Sequence, residues 1–542
     1  MDKANLIKTC ILNDLFEYFD YKNNKYDCMI KFAQSNRYIY KFTMERLAEL
    51  IVWPLSIILE RKNRSQDEII KKIRSVRVDT RIRKSNEYLN LIGDLIILCP
   101  GLIHLECDIS SVLRPGTFLN IIKNFHKLSF LKLKHSEGYD NNHELEFQSD
   151  DSLPSTITHF ILDSEFRPIQ KGFLPSSLKV LKLGETARYQ ASTFSNHILM
   201  IDDDSLTSSP GIEYLHFGNK FNKMINIGTL PSSLTCLKFG FHYNQTIGIG
   251  VLPNCLKRLK FGFNFNQLID VGVLPNSLVD VEFGDHFSQP LIPGTLPPNL
   301  TRLKFGRFFD KKIIENVLPT SLTTLIFECV SVIKRDYMIK LSELPNLKKL
   351  KIGLENIQLD VSSIPNLSNL TLYCKYNFQH IMKIILSMAI NLNKLRIFNL
   401  DEPISNYNLP KSLTHLYLNY YAWGLTPASL PLPGLKCLIF EHGFNQPNMQ
   451  PGIFPNTITK LILGDAYTHP IENNVLPTDL TELGVGHGWT PSKNMRTDDY
   501  PRKLSELQFY DTHRYGIFMA MKTWALEPEQ RDLVLKLNAR KI

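Results

Sequence analysis

The side chains that could do chemistry in this chain are spread out rather than gathered. Gly484-Val485-Gly486-His487-Gly488 has the glycine density of a phosphate-cradling loop. Such a loop works by aiming backbone N–H groups from the start of a helix. This stretch falls instead where a strand and a corner recur, which points to a structural role. Asp202-Asp203-Asp204 offers hard oxygen ligands for a cation, or simply an acidic loop. His216, His242 and His286 sit at non-equivalent places on separate turns of chain and do not converge on a metal. There is no G-x-S-x-G, Walker A or H-E-x-x-H pattern. The 9 cysteines contain no C-x-x-C pair, which points to a reducing intracellular compartment and no zinc site. No apolar run is long enough to span a bilayer, and the first residues lack the features of a secretory signal. The sequence therefore predicts a non-enzyme, with no catalytic residue, metal or cofactor, in the cytoplasm.

Charge is the second chemical resource. The net charge is +9, and much of it lies in residues 61–84, where Arg61, Lys62, Arg64, Lys71, Lys72 and Arg74 are followed by Arg77, Arg81, Arg83 and Lys84. Only Asp67, Glu68 and Asp79 oppose them. This run reads either as a surface for nucleic acid or an acidic partner, or as a solvated helix face and linker.

The elements that position these groups come from an internal repeat. Units begin at Leu230, Leu252, Leu274, Leu296 and Leu318, each 22 residues after the last, and each opens Leu-Pro. Phe454 starts a later unit of the same length, and looser copies start at Leu153, Leu174, Leu409, Leu432, Leu476 and Tyr500. Within a unit, L-x-x-L-x-F puts Leu237 and Phe239 two residues apart, on one face of a short strand. This is the leucine-rich-repeat pattern, one strand per coil. Stacking should then align Phe239, Phe261, Phe283, Phe305 and Phe327 in one column. Tyr243, Phe265, Phe287 and Phe309 form a second, and Ile247, Ile269, Leu291 and Ile313 a third. Gly250, Gly272, Gly294, Asn316 and Asn474 recur at the corner, where glycine and asparagine tolerate a positive φ. The following prolines suit that irregular corner. Asn244, Asn266, Ser288, Asp310 and Thr468 should form a polar ladder serving backbone groups of adjacent coils. Leu102, Leu105 and Cys107, then Leu128, Leu131 and Leu133, read as earlier coils.

With the core assigned, the residues flanking each core leucine should point outward, on the presumed concave side. They are Cys236/Lys238, Arg258/Lys260, Asp280/Glu282, Arg302/Lys304 and Thr324/Ile326. Lys238, Arg258, Lys260, Arg302 and Lys304 are candidate binding residues for an acidic partner. Alternatively, the acidic pair between basic pairs compensates its neighbours across strands. Later coils place Tyr417, Ile439 and Ile462 at the Lys238 position, where exposed apolar groups would favour a protein partner.

The units of the form LPxSLxxLxFGxxFNQxI, best seen in Phe265-Asn266-Gln267-x-Ile269 and Tyr243-Asn244-Gln245-x-Ile247, resemble FNIP repeats. These are a leucine-rich-repeat variant abundant in social amoebae and giant DNA viruses. A short helical patch upstream, with Leu12, Leu15, Phe16 and Phe19 on one face, is similar to the module that precedes such repeats in F-box proteins. Its usual Leu-Pro opening falls here at Leu12-Asn13. That resemblance implies docking to the adaptor of an SCF-type ubiquitin ligase, with the repeats recruiting a substrate. The rival reading is a plain cap on the first coil.

The expected fold is an α/β repeat solenoid, a leucine-rich-repeat-like horseshoe of about 22-residue coils with a small N-terminal helical module. Its expected parts are the F-box-like module (1–60), a basic linker or helix (61–94), the solenoid (95–515) and a C-terminal helical cap (516–542), in which Glu527 to Arg540 reads as amphipathic. The expected function is a protein-binding scaffold, recruiting a ligase substrate or acting as an interaction platform without a ligase, with no membrane partner. Nucleic-acid binding through 61–84 is the alternative from another class.

Overall fold

The computed structural model describes residues 53–54, 72–78, 85–108, 115–134, 151–163, 169–184, 206, 209–328, 337–353, 357–360, 365–373, 386, 389–400, 402–486, 488–489, 500–511 and 519–520. The expected docking residues Leu12, Leu15, Phe16 and Phe19, the acidic run 202–204 and the helix expected over 527–540 lie outside them, as does most of the basic run. The chain divides into two compact units, Met1–Gly218 and Asn219–Ile542.

In the first unit the strands are β1 (Trp53–Pro54), β2 (Ser75–Val78), β3 (His104–Asp108), β4 (Phe130–Lys134), β5 (His159–Asp163), β6 (Val180–Leu183) and β7 (Tyr214–His216). Each pairs in parallel with the next. Parallel neighbours need a crossover, so the chain must complete a coil between strands. Alternate residues point inward and are buried: Val76 and Val78, Leu105 and Cys107, Leu131 and Leu133, Phe160 and Leu162. Helices α1 (Ser85–Leu98) and α2 (Pro115–Ile122) supply two of the crossovers. They bury Ile92 and Leu95, and Phe118, Leu119 and Ile122. The segment expected as a basic linker or helix thus contributes a solenoid strand as well as a helix. The strand is short and its inward pair is Val76 and Val78, so the surrounding basic residues mask it in the sequence.

The second unit runs β8 (Cys236–Lys238), β9 (Arg258–Lys260), β10 (Asp280–Glu282), β11 (Arg302–Phe305), β12 (Thr324–Phe327), β13 (Tyr337–Lys340), β14 (Lys349–Gly353), β15 (Ile357–Asp360), β16 (Asn369–Tyr373), β17 (Lys394–Phe398), β18 (His415–Asn419), β19 (Cys437–Phe440), β20 (Lys460–Ile462), β21 (Glu482–Gly486), β22 (Glu506–Asp511) and β23 (Met519–Ala520). Strands β8 to β22 form a parallel ladder from which β13 and β15 are set aside as a separate parallel pair. Strand β23 pairs antiparallel with β22, at the start of the segment expected as a C-terminal cap. Gly484 and Gly486 lie in β21, which makes the glycine-rich stretch part of the ladder.

The predicted columns are present. Consecutive rings of Phe239, Phe261, Phe283, Phe305 and Phe327 stack with centroids 5.8, 5.4, 5.5 and 5.1 Å apart. Tyr243, Phe265, Phe287 and Phe309 stack at 6.1, 6.0 and 6.1 Å. Within a coil the two columns touch, as at Phe261–Phe265, 4.0 Å. Ile247, Ile269, Leu291 and Ile313 are buried. The corner residues Gly250, Gly272, Gly294, Asn316 and Asn474 have φ of 82, 88, 88, 63 and 63°. That corner conformation costs an ordinary side chain free energy, which explains the restriction to Gly and Asn.

The polar ladder serves the backbone as expected. The Asn222 Oδ1 accepts the Asn244 N–H at 2.8 Å, Asn244 Oδ1 that of Asn266 at 2.9 Å, and Asn266 Oδ1 that of Ser288 at 2.9 Å. The next residue reinforces each rung: Gln267 Nε2 donates to Asn244 Oδ1 at 3.0 Å and Gln289 Nε2 to Asn266 Oδ1 at 3.1 Å. These side chains replace ladder partners that the corner backbone lacks.

Candidate protein-binding face

Core columns and corner ladders consume the inward side chains and the corner amides. What remains chemically available on the ladder is the outward side of the strands. Parallel register aligns it in two rows: Cys236, Arg258, Asp280, Arg302 and Thr324, and beside it Lys238, Lys260, Glu282, Lys304 and Ile326. Arg258 and Lys260 are exposed, whereas Lys238, Arg302 and Lys304 are half-buried.

The charges in these rows pair across coils. Arg302 bridges Asp280 Oδ1 at 2.7 Å and Glu282 Oε1 at 2.6 Å, and Lys260 reaches Glu282 Oε2 at 3.2 Å. Burial alone would raise the Glu282 carboxyl. Hydrogen bonds from Arg302 and the charges of Lys260 and Arg302 outweigh it and hold the group below its ordinary range. Lys304 and Lys351 both pair with Glu328, Lys304 at 3.1 Å. Each exposed pair of this kind contributes about 0.2–1 kcal/mol.

Two flanking positions do not point freely outward as expected. Cys236 and Ile326 are buried. Ile326 lies in register between Lys304 and Lys351, whose ammonium groups converge on Glu328, so their aliphatic stems flank it. Cys236 is a small side chain beside the long Arg258.

The later coils differ from expectation in the same direction. Ile439 and Ile462 are buried with Cys437 in a small apolar cluster, and Tyr417 packs against it half-buried. Burial pushes the Tyr417 hydroxyl up to about 12, aided by the neighbouring Cys437. Lys394 Nζ sits 4.7 Å above the Tyr417 ring, and the Arg396 guanidinium 5.4 Å from it. Apolar residues in adjacent coils cover one another here, which the pattern of a single coil does not show.

In the described part of the basic run, Arg77 Nε pairs with Glu106 at 2.7 Å. Among the described residues no group of His, Cys, Asp and Glu is arranged to hold a metal ion, and no helix is long and apolar enough to cross a membrane.

One strand per coil, a parallel ladder and an inward leucine stripe define a leucine-rich-repeat-type solenoid. The family described as FNIP Repeat matches residues 140–186, 201–242, 243–286, 287–329 and 444–487, so these segments carry FNIP repeats. Among solved structures, the chain is similar to the crystal structure of CroV588, described as a novel circular LRR protein structure. The two are 25% identical over 81% of this chain and 76% of that chain, with a TM-score of 0.48. No curated protein matches the chain.

Proposed function

We propose that the protein is a protein-binding scaffold whose outward strand face is the binding surface. The observation that carries this reading is the division of labour within each coil: the core columns and corner ladders are committed to structure, and the outward strand side chains are presented in register as a regular array. Lys238, Arg258, Lys260, Arg302, Lys304 and Tyr417 are the residues assigned to contact. The FNIP repeats and the upstream patch of Leu12, Leu15, Phe16 and Phe19 support a finer reading, that of a substrate-recruiting subunit of an SCF-type ubiquitin ligase in the cytoplasm.

Two experiments separate these levels. Charge reversal at Arg258 and Lys260, both exposed, should lower capture of the partner by the full chain while leaving its circular dichroism unchanged. Capture that does not change overturns the face assignment. Full chain carrying Leu15→Ala and Phe16→Ala should lose the ligase adaptor in a pull-down with its fold intact, because apolar anchors dominate such interfaces. A wild-type chain that does not retain the adaptor removes the ligase reading and leaves the interaction platform.

A further inference from the structure

The outward side of β14, β16, β17 and β18 departs from the self-compensated charge of β8 to β12. Alternation turns Lys349, Lys351, Lys394 and Arg396 outward, and no Asp or Glu occupies an outward position on these four strands. The carboxylates that reach the patch lie at its two edges. Glu328 is shared by Lys304 and Lys351, and Glu441, itself buried, takes Arg396 and the Asn419 amide. Lys349 and Lys394 are exposed and have no carboxylate partner among the described residues.

Aromatic rings are interleaved with these cations in a particular way. Lys351 sits 5.2 Å from the Tyr373 ring centre, Tyr373 and Phe398 stack at 4.3 Å and 18°, and Arg396 lies 5.4 Å from both Phe398 and Tyr417. The ring faces are therefore occupied by cations and by one another. Left for a ligand are N–H groups and ring edges, and a ring edge carries the positive end of the aromatic quadrupole. Single-stranded nucleic acid needs free ring faces for its bases. A carboxylate needs only the N–H groups and positive edges that this surface presents.

We propose that this patch binds an acidic peptide segment of a protein partner, laid across the strands. The proposal rests on the reading of the strand face as the binding surface and adds its site and chemistry. Lys349 and Lys394 lie in one register row with Asn369 between them. Two strand steps are about 10 Å, roughly one three-residue turn of a polyproline-II peptide, which brings every third side chain to the same face. Carboxylates at every third position of the peptide match that interval.

The test is titration of the full chain with a fluorescent peptide of repeated Glu-Gly-Gly, read by anisotropy at low and high salt. The account expects binding that weakens with salt. The double variant Lys349→Glu, Lys394→Glu should lose about tenfold or more in affinity, with circular dichroism unchanged. Lys257→Glu, exposed just before β9 and away from β14 to β18, should bind like the parent. Equal affinity of parent and double variant overturns the proposal. So does tighter binding of oligothymidylate than of the acidic peptide, which would make the patch a nucleic-acid surface. If the peptide fails to bind while strand-face cross-linking still captures a partner, the acidic-peptide assignment falls and the scaffold reading stands. Failure of both removes both.

Discussion

Phe261→Ala probes the aromatic column where it is most constrained. The side chain is 2% exposed and lies against Phe239, Phe265 and Phe283 at 5.8, 4.0 and 5.4 Å between ring centres. A buried phenylalanine removes about 150–250 Å² from water, worth ~25 cal/mol per Å². Alanine retains part of that, leaving a transfer loss of about 3 kcal/mol. The cavity adds ~1–2 kcal/mol, because neighbouring rings are held in place by strand register and cannot slide in. The expected cost is about 3–5 kcal/mol by denaturant unfolding. Phe263→Ala is the internal control: that ring is half-buried and stacks on Phe241 at 4.5 Å. Its loss should cost about 1–2 kcal/mol. Because coils couple mainly to their neighbours, hydrogen exchange should show lost protection first around 239–287. Equal costs for the two variants, or protection lost uniformly along the second unit, would refute the column argument.

Other substitutions test other parts of the coil. A Cβ on Gly284 would lie 1.7 Å from the Gly262 carbonyl oxygen, whereas one on Gly272 would meet only Ile249 at 3.9 Å. Gly284→Ala should therefore cost about 3 kcal/mol, through forced separation of coils, against ~1–2 kcal/mol for Gly272→Ala, which bears the cost of positive φ alone; thermal melts that reverse this order would contradict the packing. Tyr243 is fully buried and its hydroxyl has no hydrogen-bond partner among the described residues, while the equivalent positions are Phe265 and Phe287. Tyr243→Phe should stabilise by about 1 kcal/mol, and a loss of stability would show that the hydroxyl is satisfied. The depressed Glu282 carboxyl contributes stability that is complete above its ordinary value of 4.5 and is lost as pH falls through its lower folded value. Glu282→Gln should flatten the acid limb of stability against pH, and an unchanged limb would remove the ion-pair argument.

Much of this was legible in the sequence because a repeat states each position many times. The Phe239 and Tyr243 columns, the corner at Gly272 and Asn316, and the Asn266 ladder all follow from residue type at fixed spacing. What was missed depends on contacts between coils. The glycine after the core phenylalanine, as at Gly284, is required by backbone approach from the preceding coil and not by its own φ. Ile326, Ile439 and Ile462 occupy outward positions by alternation yet are buried: Ile326 lies between Lys304 and Lys351, and Ile439 and Ile462 pack with Cys437 and Tyr417. The strand Ser75–Val78 offers two inward valines inside a basic run, too little periodicity to stand out. On the binding face, the candidate cations Arg302, Lys260 and Lys304 were identifiable and the pairing with Glu282 was visible as alternating sign, whereas Glu328, the residue after Phe327, lies outside the flanking pairs and was not.

The strand-face claim is tested most directly by site-specific photo-cross-linking of the full chain in the cells that express it. A photoreactive residue is placed in turn at Arg258 and Lys394, on the outward strand face, and at Ile249, exposed at a corner. Strand-face binding predicts that one and the same protein is cross-linked from Arg258 and Lys394 and not from Ile249. Capture of that protein from Ile249, with no adduct at either strand position, would contradict it.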